Sequence, residues 1–364
     1  MSKKPDVFQS ALKVQEGIAQ PSQINPDFNY KRVKKKLLSV NEFIDGILSG
    51  NRVILSQAIT LVESSLPQHY AFSQEIIAAC LPHAGNSIRI GITGVPGVGK
   101  STFIEAFGKL LTQQGHKLAV LAIDPSSERS KGSILGDKTR MEELAIDDNA
   151  FIRPSPTAGS LGGVARKTRE SIILCEAAGF DRIIVETVGV GQSEIAVHSM
   201  VDFFLLLMLS GAGDELQGIK RGIMEMADAI LINKADGDNI QKANLAKAQY
   251  SSALNLFPPT ASKWKPIALT CSSYTKQGVD DVLNVVYDFV NLTSKNGYFN
   301  NHRKEQSKYT LYEYVHKGIL DSFYSNNELI NQIPQIEEQV VHGSKSPYVA
   351  GAELIAIFNK HQNK

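Results

Sequence analysis

The chain has 364 residues, a formal net charge of +1, 43% hydrophobic residues and 21% charged residues. That length allows one large core or two to three smaller units, and the near-neutral balance gives no general electrostatic case for nucleic acid or a membrane as partner. No apolar run reaches the roughly 18 residues that a membrane span needs. Cys80, Cys175 and Cys271 lie far apart with no C-x-x-C pair, so neither a disulfide framework nor a zinc site is expected and a reducing compartment fits. The first residues show no apolar signal core; they carry Asp6 and Glu16 and no arginine before Arg32, unlike a mitochondrial transit peptide. The expected location is cytoplasmic.

Residues 1–30 are polar and interrupted by Pro5, Pro21 and Pro26, which predicts a mobile N-terminus. The basic run Lys31-Arg-Val-Lys-Lys-Lys36 reads as the solvated face of a first helix. Apolar spacing of i, i+3, i+4 over Leu37–Ser49, Arg52–Ser64 and Ser73–Leu81 predicts a small helical domain over 31–84. From Ile88 the pattern alternates. Strands are predicted at Ile88–Thr93, Leu118–Asp124, Ala150–Arg153, Arg182–Glu186, Asp202–Leu209, Ala229–Asn233 and Pro266–Thr270, with helices between most of them. Near-continuous apolar strands separated by helices predict an α/β fold whose mostly parallel sheet is covered on both faces. This domain spans 85–297 and closes with a helix over Asp280–Thr293. Further helices over Tyr309–Tyr324, Gln332–Val341 and Val349–Asn359 fill a C-terminal helical segment, 298–364.

One stretch organises the rest. Gly94-Val-Pro-Gly-Val-Gly-Lys-Ser101 fits G-x-x-x-x-G-K-[ST] at every fixed position, after an alternating strand and before a helical pattern. This marks a P-loop NTPase. Backbone N–H groups of Gly94, Val95, Gly97, Val98 and Gly99 to Thr102 curl around phosphate oxygens at a helix N-terminus, while Pro96, which has no N–H, shapes the turn. Lys100 brings a point charge to the β- and γ-phosphates and Ser101 a hydroxyl to Mg²⁺. A second motif selects the base: Asn233-Lys-Ala-Asp236 matches N-K-x-D at the end of a predicted strand. Asp236 can accept from both the ring N1–H and the exocyclic amine of guanine. Adenine lacks that donor pair, so the carboxylate would be left unsatisfied. Asn233 would bond the base or tie neighbouring loops, and the stem of Lys234 can lie over the ring. Thr270-Cys-Ser-Ser273, with Ser272 and Ser273, is placed to meet the guanine O6.

Three carboxylates suit the metal side: Asp124 and Glu186 at predicted strand ends, and Asp137 in a flexible glycine-containing loop. A hard cation carried by phosphates takes only one or two direct protein carboxylates, so some of these act through water. Glu186-Thr-Val-Gly189 has the form of a D-x-x-G switch with glutamate for aspartate, and Gly189 N–H would sense the γ-phosphate. Two glycine-rich stretches, 189–193 and 210–218, read as loops ordered by the nucleotide.

With these motifs in one order, the chain resembles the MeaB/ArgK-type GTPases, a family that includes the methylmalonic aciduria type A protein. The resemblance runs from about residue 45 and rests on Gly91–Thr102, Asp124-Pro-Ser-Ser127, Gly132–Met141, Arg153-Pro-Ser-Pro156, Glu186–Glu194 and Gly211–Lys220. It implies a homodimeric, GTP-hydrolysing chaperone that gates adenosylcobalamin delivery to methylmalonyl-CoA mutase and protects that enzyme. It also implies that Asp124, Asp137 and Glu186 face Mg²⁺, that 211–220 is a third switch facing the partner, and that the C-terminal helices form the dimer contact. Two other activities associated with such chains are a kinase of the ArgK/LAO type, acting on an amino-acid transport binding protein, and a metal-insertion GTPase. A kinase would more naturally use ATP, against Asp236, and metal-insertion relatives carry Cys/His segments that this chain lacks. Cys271-Ser-Ser273 departs from the usual Ser-Ala base loop. Val190 stands where small GTPases place a catalytic glutamine, which implies slow hydrolysis that a partner accelerates.

Overall fold

Strands that are apolar along both faces, such as Phe203–Met208, can be buried only between two helical layers, and the structure is built on that requirement. A computed structural model describes residues 38–123, 141–154, 161–187, 193–211 and 221–362. Among these, β1 (Ile88–Gly94), β2 (Leu118–Ile123), β3 (Ala150–Pro154), β4 (Arg182–Thr187), β5 (Phe203–Met208), β6 (Ala229–Ile232) and β7 (Ile267–Thr270) form one sheet. Its order is β3-β2-β4-β1-β5-β6-β7, and every neighbouring pair is parallel. All carboxyl ends therefore share one edge. The register aligns Ile92 with Glu186 and Gly94 with Leu207, which brings the ends of β1, β4 and β5 level.

The helices are α1 (Val40–Leu48), α2 (Arg52–Glu63), α3 (Pro67–Cys80), α4 (Lys100–Gln113), α5 (Glu142–Ala145), α6 (Leu161–Ala177), α7 (Ser193–His198), α8 (Arg221–Met226), α9 (Ile240–Leu254) and α10 (Val279–Lys295), followed by α11 (Tyr298–Tyr324), α12 (Asn327–Val341) and α13 (Pro347–Gln362). α1 opens with a capping box: Glu42 N–H donates to Ser39 Oγ, and Ser39 N–H to Glu42 Oε2 at 2.6 Å. On one sheet face, Phe103 and Phe107 of α4 and Val282, Val286 and Phe289 of α10 close over Ile90, Ile92, Phe203, Leu205 and Leu207. Phe289 meets Phe203 edge-on at 5.2 Å and Trp264 at 5.5 Å. Among the described residues no helix is long and apolar enough to cross a membrane.

The strands fall within a residue or two of their predicted ends, but three helices start earlier than their apolar spacing indicates. α3 begins at Pro67 instead of Ser73, with proline at a position where its missing N–H costs nothing. α12 begins at Asn327 instead of Gln332, capped by the Asn326 side chain, and continues through Pro334. α11 begins at Tyr298 instead of Tyr309, and polar contacts hold its first turns. Arg303 spans the amino edge of the sheet, donating from Nε and Nη2 to the buried Asp202 carboxylate at 2.7 and 2.6 Å. Its remaining donors reach the carbonyls of Gly85 and Ser87, each at 2.6 Å. Asp202 also accepts from Arg89 N–H, and Gln306 Nε2 donates to Val201 O at 2.7 Å. Nearby, burial pushes the Glu176 carboxyl up, but bonds from Arg89, Ser87 and Gly85 outweigh this and hold it below its ordinary range. The C-terminal helical group thus meets the amino edge of the sheet through polar contacts.

Candidate functional site

β1 delivers the chain to the carboxyl edge and α4 takes it away, so the eight-residue motif forms the turn between them. A side chain at Gly94 would place its Cβ 2.4 Å from the Leu207 carbonyl oxygen, so β1 and β5 approach this closely only with glycine there. Gly97 (φ 77°) and Gly99 (φ 90°) adopt the left-handed backbone that lets the loop curl. Val98 is buried in the core and fixes the loop's base, while Pro96 and Gly97 are exposed at its rim and Val95 lies partly covered beside them. Thr102 is exposed on the first turn of α4.

Lys100 is buried at the start of α4, and its ammonium donates back to Gly94 O at 2.8 Å and Val95 O at 3.4 Å. The loop therefore carries its own cation at its centre. Ser101 Oγ donates to Glu186 Oε1 at 3.4 Å, from the first turn of α4 to the end of β4. Glu186 is buried, as is Thr187, whose hydroxyl lies 2.8 Å from that of Thr93. A hydroxyl beside a buried strand-end carboxylate is a hard oxygen pair, the donor chemistry that suits Mg²⁺. Asp124, Asp137 and Gly189 lie outside the described residues, as does most of both glycine-rich stretches.

On the base side, Asn233 leaves β6 with its side chain fully enclosed at 1% exposure. Its Nδ2 donates to Val98 O in the phosphate loop at 2.8 Å. Its Oδ1 accepts from Ser273 N–H at 3.2 Å, Ser273 Oγ at 2.8 Å and the Cys271 thiol at 3.4 Å. One amide thus joins the loops after β1, β6 and β7. Burial pushes the Cys271 thiol up to about 12, so it stays protonated and able to donate. Lys234 sits in the left-handed region at φ 59°, and its amine reaches Gly97 O at 2.8 Å, laying the aliphatic stem across the phosphate loop. Asp236 is partly exposed and accepts from the Ser272 hydroxyl, which itself accepts from Thr275 N–H at 3.0 Å. Ala235 N–H donates to Cys271 O at 2.9 Å and completes the seam.

The structure brings together Lys100, Ser101 and Glu186 at one end of the edge, and Asn233, Lys234, Asp236, Ser272 and Ser273 at the other. Motif reading missed Cys271 as a hydrogen-bond donor, the Thr93–Thr187 pair and Asn239. Asn239 had a weak signal, as a turn-forming residue three places after Asp236.

Comparison with known proteins places this geometry in a family. The family model described as methylmalonyl-CoA mutase-associated GTPase MeaB matches residues 55–328. "GTPase ArgK" of Escherichia coli strain K12 is 46% identical over 306 residues, covering 84% of this chain and 92% of its own length. The protein named "methylmalonic aciduria type A homolog, mitochondrial" of Mus musculus is 44% identical over 329 residues, covering 88% of this chain and 79% of its own. Among solved structures, one described as a LAO/AO transport system kinase superposes with a TM-score of 0.73 at 38% identity, covering 89% of this chain and 100% of that one.

Replacing Asn233 by alanine removes the amide that joins three loops and leaves the Val98 carbonyl and Ser273 N–H without their partner. Asn233→Ala is expected to lower stability by about 2–3 kcal/mol, read from denaturant unfolding. An unchanged midpoint would show that the loops hold each other without it.

Proposed function

The chain belongs to the family of methylmalonyl-CoA mutase-associated GTPases, and we propose that Gly94–Thr102, Glu186 and Asn233–Asp236 form the site at which it binds and hydrolyses GTP. The observation that carries this assignment is Asn233. It holds the phosphate loop against the base loop, with Lys100 and Asp236 on the same sheet edge. In this reading Lys100 exchanges the Gly94 and Val95 carbonyls for β- and γ-phosphate oxygens. Ser101 and Glu186, with Asp124 and Asp137, hold Mg²⁺ directly or through water, and Gly189 N–H meets the γ-phosphate. Bound Mg²⁺ supplies charge neutralisation of the phosphates. The Ser272 hydroxyl now on Asp236 gives way to guanine N1–H and the exocyclic amine, and Ser273 meets the O6 side.

Asp236→Asn turns an acceptor into a donor where guanine offers only donors, so preference is expected to move from GTP to xanthosine triphosphate by at least about tenfold, each good hydrogen bond being worth about 1 kcal/mol or more. Competition binding with both nucleotides reads this, and unchanged GTP affinity would remove the guanine assignment.

The client we infer is a cobalamin-dependent acyl-CoA mutase, methylmalonyl-CoA mutase, with the chain acting as a chaperone that gates adenosylcobalamin delivery and protects the mutase. The description of the matched family supports this. Mixing the purified chain with that mutase should yield a complex whose stability differs between GTP and GDP and which hydrolyses GTP faster than the chain alone. Absence of a complex with either nucleotide would refute the client.

The chain is proposed to act as a homodimer through its C-terminal helices. Leu311, Tyr312, Val315, Ile319 and Leu320 of α11 and Tyr348 and Val349 of α13 are all exposed by 42% or more, and burying such residues against a second copy would remove their apolar surface from water. Sedimentation of a Tyr312→Asp, Leu320→Asp double variant should read a monomer where the parent reads a dimer. A monomeric parent would end the proposal.

A further inference from the structure

Asn239 belongs to no phosphate- or base-binding motif, yet both ends of its side-chain amide are engaged. Nδ2 donates to Lys234 O at 2.6 Å, and Oδ1 accepts from Ser210 Oγ at 2.6 Å. The sense of these bonds follows from their partners. A backbone carbonyl only accepts, so the amide nitrogen must face Lys234, which leaves Oδ1 for Ser210 and makes the hydroxyl the donor. Asn239 closes the 3₁₀ turn Gly237–Asn239 directly after Asp236, and its own N–H donates to Asp236 O at 3.0 Å.

The bond to Lys234 matters because of the backbone there. Lys234 is a non-glycine residue at φ 59°, a conformation that persists only when neighbours hold it. Three contacts hold it: Lys234 Nζ on Gly97 O, Ala235 N–H on Cys271 O, and Asn239 on the Lys234 carbonyl itself. The first two reach the phosphate loop and the base loop. The third reaches Ser210, two residues past the end of β5 and next to Gly211 at φ 89°. The turn that carries Asp236 is therefore tied to a third part of the sheet edge.

We propose that Asn239, oriented by Ser210, is a positioning residue that keeps the Lys234 turn in its base-reading shape, so that the end of β5 sets affinity for guanine nucleotides. The proposal rests on the reading of Asp236 as the guanine acceptor. Drawing Ser210 away from Asn239 releases the amide, the Lys234 carbonyl loses its donor, and the nucleotide leaves faster. The residue at the head of the 210–218 stretch thus acts as a handle on nucleotide exchange without touching the nucleotide.

The test uses the full chain and measures binding of GTP and GDP, release of a fluorescent GDP analogue, and steady-state hydrolysis. Asn239→Ala is expected to weaken GTP and GDP equally, by about five- to tenfold for the lost hydrogen bond to the Lys234 carbonyl, with faster release of the analogue. KM for GTP rises while kcat stays within about twofold. Ser210→Ala moves the same quantities in the same direction by about threefold, Ser210→Thr restores them, and the double alanine variant is no weaker than Asn239→Ala alone because both act along one path. Inorganic triphosphate, which has no base, inhibits all variants alike. A role confined to folding would instead lower the thermal midpoint and leave triphosphate, GTP and GDP in their original ranking. Affinity within twofold of the parent in Asn239→Ala, or equal weakening of inorganic triphosphate, overturns the proposal. Failure of Asp236→Asn to discriminate against GTP overturns the guanine reading instead.

Discussion

A single buried amide sets the geometry on which the rest of the carboxyl edge depends. A nucleotide has a fixed length between its base and its last phosphate, so a protein that reads both ends must hold two loops at a fixed separation before the ligand arrives. In the proposed site Asn233 would do this from between them, since it donates to Val98 O in the loop after β1 and accepts from Ser273 and Cys271 in the loop after β7. Its enclosure raises the stakes. With no water able to replace a lost partner, each of these bonds is expensive to break, and the arrangement is correspondingly rigid. Preorganisation of this kind reduces the ordering cost of binding.

The parallel sheet supplies the frame. Because all seven strands run the same way, the ends of β1, β4, β6 and β7 arrive at one edge, and residues far apart in the chain become neighbours there. Lys100 shows how the loop tolerates a buried positive charge. Its ammonium rests on the carbonyls of Gly94 and Val95, so in the proposed site phosphate binding would exchange one set of acceptors for another.

Much of this was legible in the residues. Strands buried on both faces must be apolar at every position, and that requirement prints a continuous signal; β5 and β6 were found for that reason. The phosphate loop was legible because its glycines are demanded by backbone geometry: Gly94 by the Leu207 carbonyl, Gly97 and Gly99 by positive φ. The start of α11 was not legible, because residues 300–308 are polar on every face and their helix is held by Arg303 and Gln306 reaching other elements. Periodicity reports only apolar burial. Asn239 escaped for a related reason: its partners, Ser210 and Lys234, are separated by the whole of α8 and β6 or by a reversed turn, and no local spacing encodes such a meeting.

Arg303 gives the C-terminal helices a second meaning. Asp202 is almost entirely covered, and its counter-ion comes from a helix that begins after the sheet is complete. The same guanidinium terminates the carbonyls of Gly85 and Ser87 just before β1 enters the sheet. A chain cut short after α10 would leave a carboxylate in the interior with no cation to answer it, at the very point where the central strand begins. The helical segment proposed for assembly is thus joined to the body by a buried ion pair.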